Sequence, residues 1–364
     1  MARDPGDDLG GQARHVIEEG CRSRVYPAVV AEAGTSAGVL WRHAAGRLTY
    51  DDDAPAASPD TVFDLASLTK VIAATTVAMR LVERGVLDIE RPVHTILAGW
   101  DGGARRTVCL RDLLEHCSGL PAWAPIFESC DGREAFAAAI ADLPLEYAPR
   151  SRSAYSDLGF ILLGFAIEDA GSAPLDELFE PVSASLALTG LDALRFHPPR
   201  AWRSRVAPTR IDPWRDRLLV GDVDDANAAA LGGVAAHAGL FGTAGAVGAF
   251  ARRLLQVLRP AAGAPAPLVD AAILRRFLTR SAVPGSSRAM GWDTMLPTSS
   301  CGTRMSATAI GHTGYAGTSL WIDPARDVYA VLLTNRVYPD GGSSDAIRAV
   351  RRAFHDALMG GLPA

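Results

Sequence analysis

The chain has 364 residues, of which 48% are hydrophobic, and a formal net charge of −5. That length carries one large domain or two joined ones with a sizeable core. The acidic balance argues against nucleic acid as the main partner, and no uninterrupted apolar run reaches the ~18 residues of a membrane span.

The N-terminus lacks the positive start and apolar stretch of a secretory leader, which points to a cytoplasmic location. Residues 7–23 read as an amphipathic helix. Residues 26–33 and 38–43 read as two strands around the turn Gly34-Thr35-Ser36. A helix follows over 67–84, dominated by Val71, Val77, Leu81 and Val82 and stopped at Gly85. From 87 to about 280 the pattern is mostly helical, with clear pieces at 110–115, 133–142, 157–170 and 245–258. Strands return after 285. Residues 311–323 and 327–336 are apolar runs joined by Pro324-Ala325-Arg326, a hairpin signal, and 343–359 close the chain as a helix. Strands at both ends with helices between predict an α+β fold. One antiparallel sheet is built from 1–86 and 285–364, with 87–284 as an inserted helical subdomain.

Five cysteines, Cys21, Cys109, Cys117, Cys130 and Cys301, form no Cys-x-x-Cys pair, so reduced thiols are expected rather than a disulfide framework. No His/Cys/Asp cluster has metal-ligand spacing, and no glycine-rich phosphate loop carries a lysine. No cofactor is therefore expected.

Lysine and arginine total 36, and one of them, Lys70, is lysine. Arginine replaces lysine freely on a surface. It does not replace a lysine that must lose its proton, because guanidinium stays charged. The neighbours of Lys70 spell Ser67-Leu68-Thr69-Lys70. Positions i and i+3 share a helix face, so the amine can reach the Ser67 hydroxyl and activate it as a nucleophile. Near a helix N-terminus, backbone N–H groups favour developing negative charge.

Two further groups attract attention. Tyr155-Ser156-Asp157 opens a helix. Tyr155 is placed to shuttle a proton, although a tyrosine packed on a helix start with Asp157 as cap is the plainer reading. Gly311-His312-Thr313-Gly314-Tyr315 begins a strand. Glycines there mark close approach of a ligand, whereas the plain reading is a turn with a solvated histidine.

Ser-x-x-Lys, Tyr-x-Asn and Lys- or His-Thr-Gly, in that order, mark the serine beta-lactamases and penicillin-recognising enzymes. The chain resembles that superfamily over about residues 24–355, and most closely its class C, DD-peptidase and serine esterase branch. Leu113-Leu-Glu-His-Cys-Ser-Gly-Leu-Pro121 and Gly317-Thr-Ser-Leu-Trp-Ile-Asp-Pro324 extend the likeness. The resemblance implies that Ser67 attacks an acyl carbonyl while Lys70 and Tyr155 handle its proton. It implies an oxyanion hole from the N–H groups of Ser67 and Tyr315. His312, Thr313 and Gly314 then bind substrate, His312 in place of the usual lysine. Asp157 stands where the family has Asn. A carboxylate there favours the charged form of Lys70, shifts proton abstraction toward Tyr155 and weakens a beta-lactamase reading.

The implied function is a serine hydrolase forming an acyl-enzyme with a small-molecule or peptide substrate. DD-carboxypeptidase, beta-lactamase proper, transfer to an acceptor other than water, and an acyl-binding sensor that does not turn over are the alternatives. Gly34-Thr35-Ser36-Ala37-Gly38 matches the Gly-x-Ser-x-Gly elbow of α/β-hydrolases. That motif needs a helix after the serine, and the residues after Ser36 read as a strand.

Overall fold

The computed structural model describes residues 5–186, 188, 193–261, 263 and 265–362. The chain opens with helix α1 (Pro5–Arg22), then strands β1 (Ala28–Gly34), β2 (Val39–Gly46) and β3 (Phe63–Asp64). A π-helical turn over Lys70–Ala74 leads into α2 (Thr75–Glu83). Four helices follow: α3 (Leu110–Leu114), α4 (Gly132–Asp142), α5 (Asp157–Gly171) and α6 (Leu175–Ser185). Next come the short hairpin β4 (Ile211–Asp212) and β5 (Arg217–Leu218), then α7 (Ala226–Ala230), β6 (Phe241–Gly242), α8 (Ala244–Leu258) and α9 (Ala271–Leu278). Strands β7 (Asp293–Thr294), β8 (Ile310–Thr313), β9 (Ser319–Asp323) and β10 (Val328–Thr334) precede α10 (Ser344–Gly361).

The two ends of the chain meet in one antiparallel six-stranded sheet of order β2-β1-β10-β9-β8-β7. The register pairs Val29 with Thr334 and Glu32 with Val331. Strands β1 and β10 are buried on both faces, so they read as nearly continuous apolar runs. Side chains alternate between the faces with the period of two that a strand imposes. Val29, Ala31, Ala330 and Leu332 pack against α1 and α10, through residues such as Ile17 and Phe354. Val30, Val331 and Leu333 face the helices and join one core with Phe136, Ile161 and Leu254. Each such side chain contributes about 1.5–3 kcal/mol by leaving water. Glu32 interrupts the apolar pattern. Its carboxylate accepts from Tyr329 Oη at 2.8 Å and Arg42 Nε at 2.6 Å. Gly248 of α8 makes room for it, since a Cβ there would lie 1.9 Å from Glu32 Oε1.

The expected α+β class and the shared terminal sheet are observed. The C-terminal hairpin differs in its first strand. Residues 311–323 were expected as a single strand, but the chain reverses between β8 and β9. The Gly314 N–H donates to Thr318 O at 2.8 Å, and Gly317 adopts a left-handed φ of +102°. An unbranched glycine makes that reversal possible. It leaves His312 near the end of β8, beside the turn that carries Ser67.

Candidate active site

Ser67 sits in a turn between β3 and the helix. Three successive backbone bonds span three residues each: Leu68 to Leu65, Thr69 to Ala66 and Lys70 to Ser67. This is 3₁₀ geometry, in which side chains at i and i+3 eclipse one another. It aligns Lys70 with Ser67 more closely than the expected α-helix does. Lys70 Nζ donates to Ser67 Oγ at 3.0 Å. Ala66, immediately before the serine, holds a left-handed φ of +48°, a strained conformation for a residue with a Cβ. Asp64 fastens this turn by accepting the N–H groups of Ala66 at 2.8 Å and Asp224 at 2.7 Å. Burial, with the nearby Asp224 charge, pushes its carboxyl up to about 7.

Tyr155 and Asp157 arrive from the start of α5. The N-cap is Ser156, whose Oγ accepts from Gly159 N at 3.2 Å and donates to Pro121 O at 2.6 Å. The capping role considered for Asp157 therefore belongs to its neighbour. Asp157 turns inward, with Oδ1 2.6 Å from Lys70 Nζ. Tyr155 Oη lies 2.7 Å from Ser67 Oγ. Lys70 is fully buried, and its three donors are spent on Ser67 Oγ, Asp157 Oδ1 and His237 O, the last at 3.0 Å.

Burial pulls the Lys70 amine below its ordinary value, and the Asp157 charge opposes this without reversing it. The Tyr155 phenol is pushed well above its usual value by burial, reinforced by Asp157. Asp157 favours the charged amine, as expected, but burial of Lys70 acts in the opposite direction and is the larger effect. Desolvation opposes ionisation of the phenol as well.

His312 is buried rather than solvated. Its Nδ1 lies 2.9 Å from Thr313 O. A carbonyl only accepts, so Nδ1 carries the proton and Nε2 keeps a lone pair. Burial and the positive charges of Arg288 and Lys70 hold the ring neutral. Gly314 packs against the Ser67 turn, where a Cβ would lie 2.7 Å from Leu65 O. Thr318 Oγ1 donates to that same carbonyl at 2.9 Å. These contacts bring the Tyr315 segment beside Ser67. Neither the Ser67 nor the Tyr315 backbone N–H donates to an acceptor among the described residues.

Ser67, Tyr155, Asp157, His312 and Tyr315 line one cleft of about 840 Å³. Ser36 is elsewhere. It occupies the β1–β2 hairpin turn, with Oγ donating to Asp327 at 2.8 Å, and no helix follows it.

Three functional candidates escaped sequence reasoning. His116, in the Leu113–Pro121 stretch, accepts Ser156 N–H at 3.1 Å and packs its ring 4.7 Å from that of Tyr155. His237 binds Asp225 at 2.8 Å while its carbonyl holds Lys70. Burial raises the Asp225 carboxyl, but His237, the Ala228 N–H and Lys70 bring it down to about 2. Arg288 lies 5.3 Å over the Tyr155 ring, with no carboxylate in ion-pair range among the described residues. His116 was legible in principle, because it stands in a motif already singled out. Nothing in the local sequence marks Arg288.

Comparison with known proteins decides the family. The Beta-lactamase family profile matches residues 14–354. The chain belongs to that family. It is 31% identical over 305 residues to an N-acetylmuramyl-L-alanine amidase of Bacillus subtilis (strain 168), covering 76% of this chain and 68% of that protein. It is 29% identical over 312 residues to an Escherichia coli (strain K12) protein with a provisional D-alanyl-D-alanine carboxypeptidase name, covering 77% and 70%. The solved structure of EstCE1, described as a hydrolase with promiscuous acyltransferase activity, superposes with a TM-score of 0.73 at 18% identity, covering 96% of this chain and 99% of that one. These relatives are hydrolases by name, and the structural likeness extends the shared fold to nearly the whole chain. Among the described residues no single helix is long and apolar enough to cross a membrane.

Proposed function

We propose that this family member is a serine hydrolase that cleaves esters or small amides through an acyl-enzyme on Ser67. One observation carries the reading: Ser67 Oγ is bonded at once to Lys70 Nζ at 3.0 Å and Tyr155 Oη at 2.7 Å. A serine hydroxyl is a weak nucleophile until a base stands beside it.

In this reading Lys70 first releases to solvent the proton directed at Ser67 Oγ, and the free amine then takes the Ser67 proton while Oγ attacks the acyl carbonyl. The N–H groups of Ser67 and Tyr315 receive the oxyanion. Tyr155, still a phenol, gives its proton to the leaving oxygen or nitrogen, and the proton held by Lys70 restores it. Water then repeats the sequence in reverse to release the acid. Asp157 anchors the amine. Being acceptor-only and engaged with Lys70, it does not offer substrate the donor of an asparagine amide, which disfavours beta-lactams.

A second reading rests on Arg288. A guanidinium on the cleft wall with no carboxylate partner among the described residues suits a substrate carboxylate, such as the end of a D-amino-acid peptide. On that reading Arg288→Gln raises KM for D-Ala-D-Ala peptides and not for neutral esters.

The test is labelling with a fluorophosphonate probe. The wild-type protein should be labelled at Ser67, and Ser67→Ala should not be. Labelling that persists in the variant overturns the proposal. Steady turnover of a chromogenic ester excludes the acyl-binding sensor, which gives a burst and stops.

A further inference from the structure

The chain holds seven tryptophans. Trp100, Trp202, Trp292 and Trp321 are buried, and Trp41 is half-buried. The remaining two, Trp123 and Trp214, are 49% and 46% exposed. With Tyr315 at 53% they are the exposed large aromatics among the described residues, and all three line the cleft that holds Ser67. Random surface scatter does not gather such side chains in one cleft.

The two tryptophans belong to one continuous surface. Phe127 bridges them, with ring centroids 6.5 Å from Trp123 and 5.0 Å from Trp214 in edge-to-face contact. The segments bearing the rings are separately pinned. Buried Asn227, on α7, accepts from Phe127 N at 3.0 Å and donates to Ala124 O at 2.9 Å. Trp214 N donates to Asp212 at 3.1 Å, and Arg215 ties its loop to Asp212, Val223 O and Asp224 O. The rings are held open to solvent by a polar frame rather than left loose, as preorganised binding sites require.

Position assigns the wall to one part of a substrate. The Asp157 N–H donates to Ala122 O at 2.9 Å, so Trp123 follows directly beyond the Asp157 side of the nucleophile. The ring and cation neighbours of Tyr155 are His116, His312, Lys70 and Arg288, and none belongs to the wall. A leaving group must depart toward its proton donor. The wall is left for the acyl portion.

We propose that Trp123, Phe127 and Trp214 form an acyl-group subsite for a planar apolar moiety, an aryl or fused-ring group carried on the acid half of the ester or amide. This rests on the hydrolase reading for its chemistry, but not for its binding. Flat rings offset-stack or meet edge to face with indole, and such contacts add to the area they bury.

The experiment uses p-nitrophenyl esters with a constant leaving group and acyl portions running from acetyl through hexanoyl to 3-(2-naphthyl)propanoyl. Wild-type kcat/KM should favour naphthylpropanoyl over hexanoyl. In Trp123→Ala and in Trp214→Ala the naphthylpropanoyl-to-acetyl ratio of kcat/KM should fall about tenfold. A ratio that does not move, or that moves equally for hexanoyl, overturns the subsite. Selectivity that instead tracks ring size in the alcohol of an acetate series overturns its assignment to the acyl side. Binding of neutral 3-(2-naphthyl)propanamide to Ser67→Ala, measured calorimetrically, separates the two proposals. If no ester turns over but both tryptophan variants weaken that binding about tenfold, the hydrolase reading falls and the subsite stands. If esters turn over and neither ratio nor binding responds, the subsite falls alone.

Discussion

The base and the mouth of the cleft are built on opposite principles. At the base, Lys70 is fully buried and every donor of its amine is spent. At the mouth, Trp123 and Trp214 stand about half in water with polar frames behind them. The base is made dry so that burial can tune proton affinities, since an amine out of water ionises less readily. The mouth is left wet and apolar so that a ligand can displace water from it. Rate should therefore depend on the base, and choice of substrate on the mouth.

Substitutions at the base are the severest way to break that division. Ser67→Ala should lower ester turnover by on the order of 10⁶-fold, read by steady-state kinetics. Lys70→Arg keeps the charge and removes the deprotonatable amine. Acylation should fall by about 10²–10⁴-fold while circular dichroism keeps its native form. A folded Lys70→Arg protein that hydrolyses esters at the wild-type rate makes the lysine a bystander. Tyr155→Phe should cost about 10²-fold, because the leaving group loses its proton donor.

Asp157→Asn sharpens the comparison through pH. In the proposed mechanism the base is the neutral amine, so acylation should rise with pH through the Lys70 titration. Asp157 holds that titration up against burial. Removing its charge lets the amine lose its proton at lower pH, and the rising limb of kcat/KM should move toward acid. A move toward alkaline pH contradicts Lys70 as the base.

The smallest expected effect is at the mouth. Asn227→Ala leaves Phe127 N–H and Ala124 C=O without their partner, at a cost of about 1–3 kcal/mol in stability. The preference for a naphthyl acyl group should narrow in that variant, with the change carried by KM more than by kcat. A proportionate loss of kcat for every ester marks Asn227 as a support for the base, which it reaches through Asp225, the cap of the same helix, and His237 bonded to it.

Much of this was legible in the chain. One lysine among 36 basic residues, three positions after a serine, identified the pair that the structure brings to 3.0 Å. Tyr155, Asp157 and His312 were found by their order along the chain, and all reach the same cleft. The reversal at 314–318 was missed because β-branched residues on both sides make it read as one strand. The electrostatic order was missed too. Asp157 is visible as a charge beside Lys70, but how dry the lysine is depends on Phe160, His237 and the turn around it.

The sequence by itself determined the class of fold and named Ser67, Lys70, Tyr155, Asp157 and His312, which the structure gathers in one place. Strand periodicity and helix spacing are local, and a serine or an amine has its chemistry whatever surrounds it. Tertiary structure alone decided how deeply Lys70 is buried, which arginines among the described residues face the cleft without a carboxylate partner, and which tryptophans stay in water. Those properties come from desolvation and from neighbours far apart in the chain. Trp123 and Trp214 are joined by Phe127, and the loop before Phe127 is held by an asparagine some hundred residues away.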